Sequence, residues 1–228
     1  MTGTMPDLTP FFTRYEGFAR EADALFERIR AQYPELVVCR EQCSSCCHAL
    51  FDLSLVEALY LNAQFLERVP LGMERTAVLD AAGTIDRQIV RFKRKIFNDS
   101  KAGRDSNEIL EEVAAAAMRC PLLDSQERCI LYDVRPITCR LYGVPTAIGG
   151  KSHTCGKTGF VQGHAYPTVA LDKMQHRLAD LSLELAEYIG TAYKELASMY
   201  VPVSSALVTE FTPSYLGIGG IPKEDRSG

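Results

Sequence analysis

From Leu171 onward the apolar residues fall at Leu171, Met174, Leu178, Leu181, Leu185, Tyr188, Ala192, Leu196 and Met199. Steps of three and four put them on one face of a helix with a seven-residue rhythm, so the spacing predicts a single amphipathic helix over 167–200. Such a face must be buried, either inside a bundle or against a second copy. Further amphipathic segments in the same chain favour the bundle.

Residues 10–33 carry Phe11, Tyr15, Phe18, Ala22, Leu25, Ile29 and Tyr33 at helical spacing, and Pro34 follows as a stop. Ser54 and Glu57 have the form of a capping box opening a helix to about Val69. A longer helix is predicted over 72–97, buried through Val78, Ala82, Ile85, Ile89, Phe92 and Ile96 and basic at its end. Residues 98–107 are turn-rich and read as a linker, and 107–118 as a short helix. The fold class expected is mainly α: a helical bundle in one domain, 1–213, followed by a flexible tail at 214–228.

Two segments break this pattern. In CREQCSSCCH, Cys39, Cys43, Cys46 and Cys47 occupy nine positions and His48 follows. Steps of four and three allow three of these thiols to converge, while the neighbours Cys46 and Cys47 point apart. Over 119–166 helical periodicity stops, and Cys120, Cys129, Cys139 and Cys155 follow at gaps of nine, ten and sixteen. Short extended pieces near 120–145, turning at LDSQER, would set Cys120 beside Cys129. The spacing is neither a zinc ribbon of paired knuckles nor a bacterial ferredoxin run. Cys39, Cys43 and Cys46 repeat the radical S-adenosylmethionine spacing, but no alternating strands and helices accompany it.

The N-terminus lacks a basic and then apolar leader, and no apolar run reaches the roughly 20 residues that span a bilayer. This predicts a cytoplasmic protein without membrane contact. In a reducing compartment eight clustered cysteines point to metal or redox chemistry rather than structural disulfides. The irregular segments read as lacking burial of their own and as held by a metal centre, with all eight cysteines as its ligands. Their ligand pattern favours an iron–sulfur cluster over zinc. Arg135 and Arg140 flank Cys139 and read, with Tyr142, as cofactor-binding residues acting through charge and shielding. His48 and His153 read as ordinary polar loop residues.

The combination C-x₃-C-x₂-C-C, then Cys120-Pro121-Leu122-Leu123-Asp124, then Cys129, Tyr132, Arg135-Pro136, Cys139-Arg140 and Tyr142, resembles the YkgJ-type cysteine-cluster proteins, the CxxCxxCC zinc- or iron-chelating family. The resemblance covers 39–155, with Cys155 as the trailing cysteine. It implies a bound zinc or iron–sulfur centre with a structural, carrier, redox or sensing role. A related segment in flagellin lysine N-methylases implies the alternative of a group-transfer enzyme. A third reading is an interaction module with a structural metal, working through the basic helix at 87–95 or the helix at 167–200. A net charge of −4 disfavours nucleic acid as partner.

Overall fold

The computed structural model describes residues 4–40, 42–161 and 163–220. Seven α-helices run through the described residues: α1 (Thr9–Gln32), α2 (Leu55–Arg68), α3 (Met73–Lys101), α4 (Ser106–Ala115), α5 (Ile137–Leu141), α6 (Leu171–Ile189) and α7 (Val203–Val208). Five short strands accompany them: β1 (Asp52–Leu53), β2 (Thr146–Ile148), β3 (Lys151–His153), β4 (Val169–Ala170) and β5 (Val201–Pro202). The mainly α bundle expected from the periodicity is therefore present. Helices α1, α2 and α6 pack against one another, α5 lies on α1, and α3 lies on α7.

The core follows the central positions of the stripes, whereas Phe18, Leu25 and Tyr33 near α1 and Val78, Ile85, Phe92 and Ile96 of α3 are half-buried and Tyr188 of α6 is exposed. Helix α1 buries Phe11, Tyr15, Ala19, Ala22, Phe26 and Ile29. Helix α6 buries Leu171, Met174, Leu178, Leu181, Leu185 and Ile189 inside the same core, so the bundle claims this face. Helix α2 is buried nearly all round over its first two turns, from Leu55 to Asn62. Helix α3 is a surface helix whose fully buried residues are Ala82 and Ile89. Of its basic residues, Lys93 pairs with Asp52, and Lys95 with Asp99 and Glu112.

Three boundaries differ from the sequence reading, each for a local reason. Helix α6 stops at Gly190, which adopts φ 62° and ψ 44° and returns its N–H to the Ala186 and Glu187 carbonyls. A glycine in this left-handed conformation ends the helix although the apolar rhythm runs on. Leu196 is still buried, but from a 3₁₀ turn (Leu196–Ser198). Helix α3 continues through Asn98–Lys101, which had read as linker. Its C-terminal turn is tied to α4 by Lys95 and Arg104, both paired with Asp99 and Glu112. Of the expected tail, Leu216 is fully buried and the Ala192 N–H donates to the Gly217 carbonyl at 3.0 Å. Residues 221–228 lie outside the described residues.

The strands tie loops to the bundle. β1 pairs antiparallel with β5, Leu53 opposite Val201. β2 pairs antiparallel with β3 and parallel with β4, giving the order β3-β2-β4. Gly149 and Gly150, at φ 56° and 74°, make the tight β2–β3 turn, which needs positive φ at both positions. Among the described residues no helix is long and apolar enough to cross a membrane.

The fold class needs one correction. The cysteine segments were expected to be held by a metal centre, yet among the described residues no group of three or more His, Cys, Asp or Glu is placed to hold a metal ion. The premise fails on packing, because the second segment buries apolar side chains of its own. Leu122, Leu123, Leu131, Val134, Ile137, Leu141 and Val144 are all buried. The extended pieces are also shorter than expected: one antiparallel bridge joins Leu123 to Cys129, and the chain then enters a 3₁₀ turn (Tyr132–Val134) and α5.

Candidate thiol site

The first cysteine segment leaves α1 through a turn and is shaped by its backbone. The Cys43 N–H donates to the Arg40 carbonyl, and Ser45–His48 form a 3₁₀ turn closed by the Cys47 N–H on the Ser44 carbonyl. His48 Nδ1 lies 3.0 Å from the Ser44 carbonyl, to which it donates. The second segment docks on this turn main chain to main chain. The Cys120 N–H donates to the Cys47 carbonyl at 2.6 Å, the Met118 N–H to the His48 carbonyl at 3.0 Å, and Ala117 bridges Ala49.

Cys129 is positioned by the bridge to Leu123 and by Asp124. The Asp124 carboxylate accepts from the Gln126 and Arg128 N–H groups and so fixes the preceding turn. Cys139 is positioned by α5. The first N–H of that helix, from Ile137, donates to the buried Glu57 carboxylate at 3.2 Å. Glu57 also accepts from the Ser54 N–H at 3.2 Å and the Ser54 hydroxyl at 3.0 Å, so one carboxylate caps α2 and α5 together.

Gly143 follows α5 and presses on Cys39. A Cβ there would meet Cys39 Cβ at 2.5 Å, Cys39 Sγ at 3.0 Å and the Phe26 ring at 3.2 Å. Only glycine permits this approach of the two segments.

The sulfurs fall into two cavities with Cys46 between them. One cavity, of about 50 Å³, is lined by Cys46, Cys47, Cys120, Cys129, Cys139 and Arg135, and its apolar wall includes Ile85 and Ile89 of α3. The second, of about 10 Å³, is lined by Cys39, Cys43, Cys46, Cys155 and Tyr142. All eight cysteines are free thiols. Cys46 Sγ lies 3.9 Å from Cys47 Sγ. Cys139 is a further neighbour of Cys46, and Cys129 of Cys47, along the same cavity. The four therefore follow one another in the order Cys139–Cys46–Cys47–Cys129.

Protonation follows from this row. The neighbouring Cys139 and then Cys47 hold the Cys46 thiol well below its ordinary range, against the effect of burial, and Arg135 helps. The Cys47 thiol is pushed up, first by the neighbouring Cys129. The reciprocal effects lower Cys129 and raise Cys139. Burial is the main cause that lifts Cys120 to about 12 and Cys39 to about 11. It also raises Tyr142, with Cys155 second.

The two arginines are held by other groups. Arg140 is buried, donates to the Arg135 and Asp133 carbonyls and pairs with Asp23 at 2.5 Å. Arg135 stacks 4.0 Å over the Tyr132 ring and donates to the Tyr132 carbonyl, with one edge on the thiol cavity. Asp23 and the second helix capped by Glu57 were not foreseen. The capping-box pattern was the available signal for Glu57, and nothing local marks Asp23, which lies 117 positions from its partner.

Residues 38–156, just over half of the chain, match the CxxCxxCC family, described as a "putative zinc- or iron-chelating domain". The chain belongs to this CxxCxxCC family. No curated protein and no solved structure matches it. The family description names zinc or iron, and thiols are suitable donors for either. Their disposition here is different. The described residues contain no group of three or more His, Cys, Asp or Glu placed to hold a metal ion. The sulfurs divide between two small cavities that share Cys46. The expected iron–sulfur cluster or zinc, the metal-dependent functions and the metal as partner are corrected on this ground.

Proposed function

We propose that this member of the family is a thiol–disulfide redox protein. The observation that carries the reading is the row of four free thiols along one small cavity, with Cys46 flanked by the sulfurs of Cys47 and Cys139. An S–S bond is about 2.05 Å long, so neighbouring sulfurs along one cavity close into a disulfide by side-chain rotation. Cys139 comes from a different segment than Cys46, and it forms a bridge without the strained ring that two adjacent cysteines require. Cys120, Cys43 and Cys155 surround the pair as further thiols into which a disulfide can be passed.

The substrate is a disulfide, R–S–S–R′. The Cys46 sulfur, as thiolate, attacks one substrate sulfur, the S–S bond breaks, and R′–S⁻ leaves and takes a proton from water. Cys139 attacks Cys46 Sγ in the mixed disulfide, and the released R–S⁻ takes up the proton that Cys139 loses. The substrate is reduced to two thiols, and Cys46 and Cys139 are oxidised to one disulfide. Arg135 at the cavity edge stabilises the thiolate. The apolar wall of Ile85 and Ile89 admits an uncharged face of the substrate and limits water. Free thiols of this density suit a reducing compartment, and the cytoplasm is the location that goes with this proposal.

The test is trapping. Cys139→Ser removes the resolving sulfur, so after brief exposure to oxidised glutathione the variant accumulates one glutathione on Cys46, located by peptide mass spectrometry. The parent protein under the same conditions yields a Cys46–Cys139 cross-link and little adduct. Equal, unselective labelling of several cysteines in both proteins would overturn the reading.

A further inference from the structure

A third cavity is lined by β3 and by the loop that follows it. It measures about 660 Å³, within the range of roughly 300–1,000 Å³ typical of small-molecule pockets. Its lining has an unusual composition. Lys151, His153 and His164 supply an ammonium and two imidazoles, half of all the histidines in the chain. Phe160 and Tyr166 supply aromatic faces, and no carboxylate side chain is among the described residues that line it.

The aromatic wall is set in place beforehand. Tyr33 at the end of α1 meets the Tyr166 ring edge-on at 5.5 Å, and Phe160 meets it edge-on at 5.0 Å. The Val161 N–H donates to the Tyr166 hydroxyl at 3.4 Å, and the His164 ring lies near-parallel to Tyr166, 24° apart at 6.2 Å. Phe160 and Tyr166 are half-buried, whereas Lys151, His153 and His164 are exposed at the rim. Phe160 and Tyr166 stand 77° apart, so a planar ring can stack on one of them and meet the other edge-on. Rim donors without an opposing carboxylate favour an anionic group there.

We propose that this cavity binds a phosphorylated aromatic small molecule of the nucleoside monophosphate class, its base on the Phe160–Tyr166 wall and its phosphate on Lys151, His153 and His164. The inference does not rest on the thiol chemistry. Thr154, which lines this cavity, directly precedes Cys155, which lines the smaller thiol cavity.

The experiment is calorimetric titration of the full-length reduced protein with adenosine 5′-monophosphate, and in parallel with inorganic phosphate and with adenosine. Saturable binding of the monophosphate is expected, at least about tenfold tighter than either fragment and weakened about tenfold in Lys151→Ala. Tyr166→Leu should weaken it similarly, and its circular dichroism shows whether the fold is kept. Lys151 is exposed, so that variant serves even if Tyr166→Leu fails to fold. No saturable binding, phosphate or adenosine binding as tightly as the monophosphate, or unchanged affinity in Lys151→Ala would each overturn the proposal.

Discussion

Glu57 is the residue whose removal should cost most for its size. Its carboxylate is 2% exposed and accepts from three donors: the Ser54 N–H, the Ser54 hydroxyl and the Ile137 N–H, at 3.0–3.2 Å. Glu57→Ala leaves all three donors unpaired and largely shut off from water. An unpaired buried donor costs about 1–3 kcal/mol. Relaxation and water entry recover part of three such terms, leaving an expected loss of about 3–5 kcal/mol, a large share of the ~5–15 kcal/mol of an ordinary domain. Glu57→Gln keeps the shape and one carbonyl acceptor and should lose about 1–2 kcal/mol near neutral pH. Urea unfolding followed by circular dichroism measures both. The comparison also has a pH signature. Burial raises the Glu57 carboxyl above its ordinary 4.5, against the pull of its hydrogen bonds. A carboxyl raised in the fold contributes stability that is present below 4.5 and is lost as pH rises through the folded value. The parent should therefore lose stability relative to Glu57→Gln as pH rises from 4 to 7. A Glu57→Ala loss under about 1 kcal/mol would refute the reasoning, since no single one of the three donors could then be buried and unpaired.

Other predictions follow from the same geometry. Gly143→Ala should destabilise by about 1–3 kcal/mol, because its Cβ overlaps Cys39 and overpacking costs that much; the shift in urea midpoint measures it. Arg140→Met removes donors to Asp23 and two carbonyls and should lose about 2–4 kcal/mol, whereas Arg135→Met should lose less and slow the reaction of Cys46 with oxidised glutathione. Cys46 has its thiolate stabilised, so it should keep reacting with iodoacetamide at pH 5, where Cys39 and Cys120, raised to about 11 and 12, stay protonated; site-resolved alkylation measures this. Its charge is lost only as pH falls through the lowered value.

The bundle was legible because its signals are local and periodic. The stripes of α1 and α6 and the Ser54–Glu57 capping box each sit within a few turns of chain. The end of α6 was the instructive failure. Leu196 and Met199 kept the helical rhythm, but Gly190 in a left-handed conformation decides the geometry, and a single backbone angle leaves no trace in hydrophobic periodicity. The cysteine segments failed for a different reason. The gaps between cysteines say how far apart the sulfurs are along the chain, not which pairs meet. Pairing of Cys139 with Cys46 depends on Glu57 capping α5 and on Arg140 reaching Asp23, both contacts across 80 positions or more. The expectation that these segments lacked burial also missed Leu131, Val134, Ile137, Leu141 and Val144, which pack into the main core and follow one another at steps of three and four, a pattern interrupted by Pro136.

The most direct test of the thiol chemistry is a redox titration of the purified chain across graded glutathione ratios, quenched with acid and mapped by peptide mass spectrometry, with zinc, iron and sulfide assayed on the same sample. The account predicts one two-electron transition, a Cys46–Cys139 cross-link whose fraction follows the ratio reversibly, and no stoichiometric metal. Thiols that stay unreactive across the series while zinc, or iron with sulfide, co-purifies at whole-number stoichiometry would contradict it.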